Sequence, residues 1–169
     1  MTVVIRPSRW SDYPDLVAIE NQIWNETNTP NVTTYPSAEA YQQHHPVGTH
    51  LVAVNEELNK VVGFVGFHPP TPLAAHQRTW MIDIGVDPTA QSTGVGSQLL
   101  EAVKQKAKEQ QIHKLGLRVL ATNQSAIRFY QKNGFVIEGT LKEEFWLNGQ
   151  FVDDILMGFT LENGTHLLQ

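Results

Sequence analysis

The chain has 169 residues, 41% hydrophobic and 17% charged, with 12 basic against 17 acidic side chains for a formal charge of −5. That length fits one domain with a substantial buried core. The acidic balance speaks against a nucleic-acid partner, the lack of cysteine removes disulfides, thiolate zinc sites and cysteine nucleophiles, and neither a membrane span of about 20 apolar residues nor a secretory signal is visible, so a cytoplasmic chain with no membrane partner is expected.

Residues 2–6 are rich in β-branched side chains and stop at Pro7, the pattern of a short strand. Ser11 and Asp12 offer caps, and Leu16, Ile19, Ile23 and Trp24 recur at helical spacing, which predicts an amphipathic helix over 12–25. A polar stretch, 27–36, reads as loop, and Ser37 opens a short helix over 37–45. Two strands, 50–55 and 60–68, flank a polar turn, and three prolines break the pattern before the next strand. Over 79–87, Trp80, Ile82, Ile84 and Val86 alternate with Met81, Asp83 and Gly85 until Pro88 ends the strand. Val95, Leu99, Ala102, Val103 and Ala107 form the stripe of a core-facing helix over 94–110. A strand over 114–120 precedes a helix over 123–133, capped by Asn123 and ended by Gly134. Two long strands, 136–147 and 150–161, are joined by Asn148-Gly149, a pair suited to a type I′ turn. The expectation is one α/β domain over 1–161 with a frayed tail over 162–169. Parallel pairing lies in the middle of a mixed sheet, hairpins lie at both ends, and helices cover its faces.

The chemistry concentrates in two segments. Between the strand at 79–87 and the following helix lies Gln91-Ser-Thr-Gly94-Val-Gly96-Ser97. A helix start has unpaired N–H groups and partial positive charge, and glycines allow close approach, so this loop reads as an anion cradle, suited to a pyrophosphate. A Walker-type loop needs Gly-Lys-Ser/Thr, whereas Gly96 is followed by Ser97-Gln98; a dinucleotide fingerprint needs a third glycine where Leu99 stands. The bland alternative is that the glycines only shape a tight turn. The second segment, Asn123-Gln-Ser-Ala126-Ile-Arg-Phe129-Tyr130-Gln-Lys-Asn133-Gly134-Phe135, also follows a strand and opens a helix.

Together these segments resemble the GNAT family of acetyl-CoA-dependent N-acetyltransferases. Gln91-x-x-Gly94-x-Gly96 is similar to that family's pyrophosphate signature, and Asn123-x-x-Ala126-x-x-x-Tyr130-x-x-x-Gly134-Phe135 to its second cofactor motif. The tail, with Glu138-Gly139-Thr140, Asn148-Gly149, Asp153 and Met157, looks like a branch that acetylates amino acids or other small amines, although acetyltransferases of ribosomal proteins have similar tails.

The resemblance implies a mostly antiparallel sheet whose central parallel pair splays at a bulge. The pantetheine arm would pair there with the backbone of Ile84, Gly85 and Val86. Gln91, Ser92, Thr93, Gly94, Val95, Gly96 and Ser97 would hold the pyrophosphate through main-chain N–H groups, with Asn123, Ala126, Phe129 and Tyr130 completing the cofactor site. Acetyl would pass directly to a primary amine in a ternary complex, releasing coenzyme A. Tyr130 would protonate the departing thiolate, a backbone N–H near Ile84–Val86 would stabilise the oxyanion, and Trp24 and Tyr35 would wall the acceptor site. A core role for Tyr130 stays open. Asp83 is a candidate base and equally a candidate ion-pair partner; Glu26, Glu143, Glu144 and Asp153 are weaker candidates. The seven histidines show no ligand spacing, so no metal is expected. The other aromatics, Trp10 and Trp146 among them, read as core by default. The remaining readings are a protein N-terminus as acceptor and a non-catalytic acyl-CoA-binding module. A homodimer is expected if the terminal hairpin supplies an edge.

Overall fold

The computed structural model describes residues 1–162; the tail expected from 162 lies, from residue 163 on, outside the described residues. In chain order the elements are β1 (Val3–Pro7), α1 (Tyr13–Ile23), α2 (Ala38–His44), β2 (His50–Asn55), β3 (Lys60–His68), β4 (Thr79–Val86), α3 (Val95–Glu109), β5 (Lys114–Leu120), α4 (Gln124–Lys132), β6 (Val136–Leu147) and β7 (Gln150–Thr160). The strands form one sheet in the order β1-β2-β3-β4-β5-β7-β6. The β4–β5 pair is parallel, and the other neighbours are antiparallel.

Both faces of the sheet are buried because its central strands carry apolar side chains at successive positions. Leu51, Ala53, Val65, Trp80 and Ile82 pack under α3, whose Val95, Leu99, Val103 and Ala107 supply the facing stripe. Val52, Val54, Val61 and Phe64 point the other way, against Tyr13, Leu16 and Ile19 of α1 and Tyr41 of α2. Ser37 caps α2 by accepting from the Ala40 N–H at 3.1 Å, and Asn123 caps α4 by accepting from the Ala126 N–H at 3.3 Å. Asn148 and Gly149 both adopt positive φ, 50° and 75°, as their turn requires.

Two local expectations fail. Asp12 does not cap α1 with its side chain. Its carboxylate binds the Arg6 guanidinium at 2.7 and 2.8 Å and the Arg9 N–H at 2.7 Å, because a full positive charge competes better than a helix amide. Trp10 and Trp146 are 48% and 63% exposed and lie outside the core. Trp146 stands on β6, the outer strand of the sheet, with no further strand to cover it.

The feature that positions the site is a parting of β4 from β5. Their register runs Thr79↔Lys114, Trp80↔Leu115, Met81↔Gly116 and then stops, although β4 continues to Val86 and β5 to Leu120. Each strand stays paired on its far side, β4 with β3 and β5 with β7. The expected bulge is absent from β4: the β3–β4 ladder keeps one register from Gly63↔Val86 to His68↔Met81. The wedge opens through loss of the β4–β5 pairing alone.

Candidate active site

Both α3 and α4 follow strands of the parallel pair, so their N-termini stand at the same end of the sheet, over the mouth of the wedge. After β4, Asp87 accepts the N–H of Thr89 at 2.9 Å and its hydroxyl at 2.6 Å, which holds a 3-10 turn at Pro88–Ala90. Ser92 at φ 62° and Gly94 at φ 88° then carry the chain into α3. Gln98 N–H bonds Gly94 O at 3.1 Å, so the amides of Val95, Gly96 and Ser97 belong to a first turn that lacks intrahelical partners. The two glycines have different reasons. A Cβ on Gly94 would meet nothing within 4 Å, so the positive φ is what calls for glycine there. A Cβ on Gly96 would lie 2.9 Å from Phe129 Cζ, so this glycine lets the start of α3 close on α4.

A cavity of about 850 Å³ occupies the mouth of the wedge. Ile84, Val86, Gln91, Ser92, Gly94, Gly96 and Ser97 line it from β4 and the α3 start, Asn123, Ala126, Phe129 and Tyr130 from the α4 side, and Trp24 from the end of α1. Thr27, Asn28, Ser125 and Lys132 line it as well, though the sequence motifs do not single them out. The other flagged residues stand apart. Val95 is buried in the core, and the Thr93 hydroxyl turns back onto Ala90 O. Gly85 lies against α1, where a Cβ would be 2.5 Å from both Ile23 Cδ1 and Phe64 Cε1. Tyr35 packs edge-on against Tyr41 at 4.9 Å between ring centroids and bonds Asn21 through its backbone. Asp83, Glu26, Glu143, Glu144 and Asp153 do not line the cavity; Asp153 is held by Lys142 and the Glu143 N–H.

Asp83 faces α1 and α2, away from Ile84. Gly66 is the cross-strand partner of both His50 and Asp83. A Cβ on Gly66 would lie 2.5 Å from Asp83 Oδ1 and 3.3 Å from His50 Nε2, so the missing side chain makes room for the carboxyl. The sequence motifs miss Glu20 beside it. The signal was available: Glu20 is four residues from both Leu16 and Trp24, on the apolar stripe of α1. It is 6% exposed, accepts the Trp24 indole N–H at 2.5 Å and accepts the Tyr41 hydroxyl at 3.4 Å. Tyr41 also lies 3.2 Å from His50 Nε2.

The electrostatics follow from burial. Desolvation first, then the charge of Asp83, pushes the Glu20 carboxyl up to about 7. Burial likewise raises Asp83, with the His68 charge opposing. It lowers His45 and takes His50 down to about 4, so both imidazoles are neutral at neutral pH. Tyr130 is raised by burial and then by Asp83, which keeps its hydroxyl protonated. Tyr130 belongs to the α3–α4 side of the sheet and Asp83 to the α1–α2 side; their interaction crosses β4 beside the wedge.

A parted parallel pair with two helix N-termini over its mouth leaves backbone groups free around the cavity, an arrangement suited to an extended, phosphate-bearing ligand. The model of the Acetyltransferase (GNAT) family matches residues 14–135, and the chain belongs to that family. It is an acetyltransferase, and its acetyl donor is acetyl-CoA. The chain is 30% identical over 161 residues to the L-amino acid N-acetyltransferase AaaT of Escherichia coli, covering 92% of this chain and 96% of the relative. It is 25% identical over 171 residues to the L-methionine sulfoximine/L-methionine sulfone acetyltransferase of Pseudomonas paraeruginosa, covering 96% of each. The crystal structure of smu.2055 from Streptococcus mutans UA159 matches with a TM-score of 0.85 at 30% identity, over 94% of this chain and 99% of that one.

Proposed function

We propose that this protein transfers acetyl from acetyl-CoA to the primary amine of a small molecule, amino acids included, by direct attack in a ternary complex. The observation that carries this reading is the wedge, with Tyr130 on one side of β4 and Asp83 on the other. The names of the amino-acid-acetylating relatives support the acceptor class.

The residues present fit the donor. The first-turn amides of α3 and the cavity at the wedge suit a pyrophosphate with an extended arm. Main-chain N–H groups from Gln91 to Ser97 hold the pyrophosphate, so an acidic chain needs no basic patch for it. Ile84 and Val86 present to the arm the backbone edge that β5 leaves free, Gly85 between them pairs with Phe64 of β3, and Asn123, Ala126 and Phe129 close the α4 side. Bound there, acetyl-CoA supplies an activated acetyl thioester. The chain does the proton work. An alkylammonium with a pKa of about 10 must lose a proton before it attacks. Burial makes Asp83 a stronger base than an ordinary aspartate; Trp24 lines the cavity, and Tyr35 packs on Tyr41 outside it. Tyr130, held protonated, delivers a proton to the departing sulfur.

A panel of amino acids, aliphatic amines and N-terminal peptides, read by thiol release, tests the reading. Turnover with small amines is expected. Turnover with peptides alone makes a protein N-terminus the acceptor, and tight acetyl-CoA binding without turnover makes the chain a binding module. Tyr130→Phe is expected to lower kcat by roughly 100-fold, the scale of one general acid, with little change in KM for acetyl-CoA. An unchanged kcat removes Tyr130 from the chemistry.

A further inference from the structure

Glu20 has no part in the transfer as described, yet it is bonded to Trp24, which lines the cavity. It lies on the buried stripe of α1, and its bond to the Trp24 indole runs back one helical turn from the residue that ends the helix. Trp24 is the part of this group that reaches the cavity, beside Thr27 and Asn28. The second oxygen of Glu20 is tied to α2 through Tyr41, so the carboxyl is fixed from two elements. We infer that Glu20 is a positioning residue for the transfer: it sets the angle of the Trp24 ring in the acceptor wall.

The inference rests on the acceptor site proposed above. The orientation follows from geometry. An exposed tryptophan at a helix end would sample several rotamers, and a hydrogen bond to a buried carboxyl selects one. Burial and then the charge of Asp83 hold the Glu20 carboxyl protonated up to about 7, so the partner of the indole changes charge near neutral pH. The remaining titratable groups leave this coupling in place. Tyr35 and Tyr41 face the pair and are raised by burial and by both carboxylates, so they stay neutral. His50 from β2 and His45 after α2 are neutral at neutral pH. His68 from β3 acts on Asp83 in the opposite sense, and Tyr130 faces it across β4. Among the described residues, no lysine or arginine enters the electrostatics of Glu20 or Asp83.

Two variants test the role. Glu20→Gln keeps an acceptor for the indole and removes the charge, and it is expected to leave KM for the amine nearly unchanged. Glu20→Leu removes the acceptor as well and is expected to add a roughly fivefold to tenfold rise in KM for the amine, the scale of one lost hydrogen bond, with KM for acetyl-CoA unmoved. An amine KM that stays in place in Glu20→Leu overturns the inference. A third readout needs no turnover. The Trp24 indole ¹H–¹⁵N resonance should follow a titration near neutral pH in the unsubstituted protein and lose it in Glu20→Gln. An indole resonance flat through neutral pH overturns the inference. If no amine is acetylated while that titration is present, the acceptor reading fails and the coupling stands.

Discussion

Glu20 and His50 occupy one hydrogen-bonded group and tilt the pH dependence of stability in opposite directions. Glu20 rises from the ordinary 4.5 to about 7 on folding. A raised acid favours the native state while it stays protonated, and that advantage is lost as pH climbs from about 4.5 through 7. His50 falls from 6.5 to about 4, so its contribution is present above 6.5 and is lost as pH drops toward 4. Glu20→Gln removes the first slope and leaves the second. The variant should match the unsubstituted protein in urea unfolding near pH 4 and exceed it at pH 8 by up to about 3 kcal/mol, the free-energy equivalent of the Glu20 shift. Equal stabilities at pH 8 would show that Glu20 ionises without penalty. Neither residue announces its partner in the chain: the apolar stripe of α1 marks Glu20 as buried without saying what it meets, and a histidine in a strand carries no partner until the sheet is built.

At the scale of elements, the start of α3 is the part most exposed to substitution. Gly96→Ala places a methyl 2.9 Å from the Phe129 ring and drives that ring toward the cavity. Calorimetric titration should show acetyl-CoA binding weakened at least about tenfold, a loss of roughly 1.4 kcal/mol, with the far-UV spectrum unchanged. Unaltered affinity would mean that α4 yields without entering the site. The cradle was legible because it is a local motif, seven consecutive residues between a strand and a helix. The wedge was expected from family resemblance alone: nothing in the residues of β4 marks where its pairing with β5 ends. That end depends on β5 staying with β7 while β4 stays with β3.

For the whole molecule, β6 is the exposed edge of the sheet, with Val136, Ile137 and Trp146 uncovered, and Phe151 of β7 lies beside Trp146 at 4.8 Å. A long edge strand with open pairing groups and apolar side chains favours association with a second copy of the chain. Sedimentation velocity should report the mass of two chains, and Trp146→Glu the mass of one. A single-chain mass for the unsubstituted protein at every concentration would refute the pairing.

The sequence by itself determined the elements, the α/β class and the cradle, because hydrophobic period, caps and turn residues act within a few positions of one another. Helix and strand boundaries agree to within about two residues for that reason. Only the tertiary structure decided which carboxyls share a site. Glu20, Gly66 and Asp83 are far apart in the chain, and their chemistry comes from loss of water and from mutual repulsion, which exist only once α1 lies across β4.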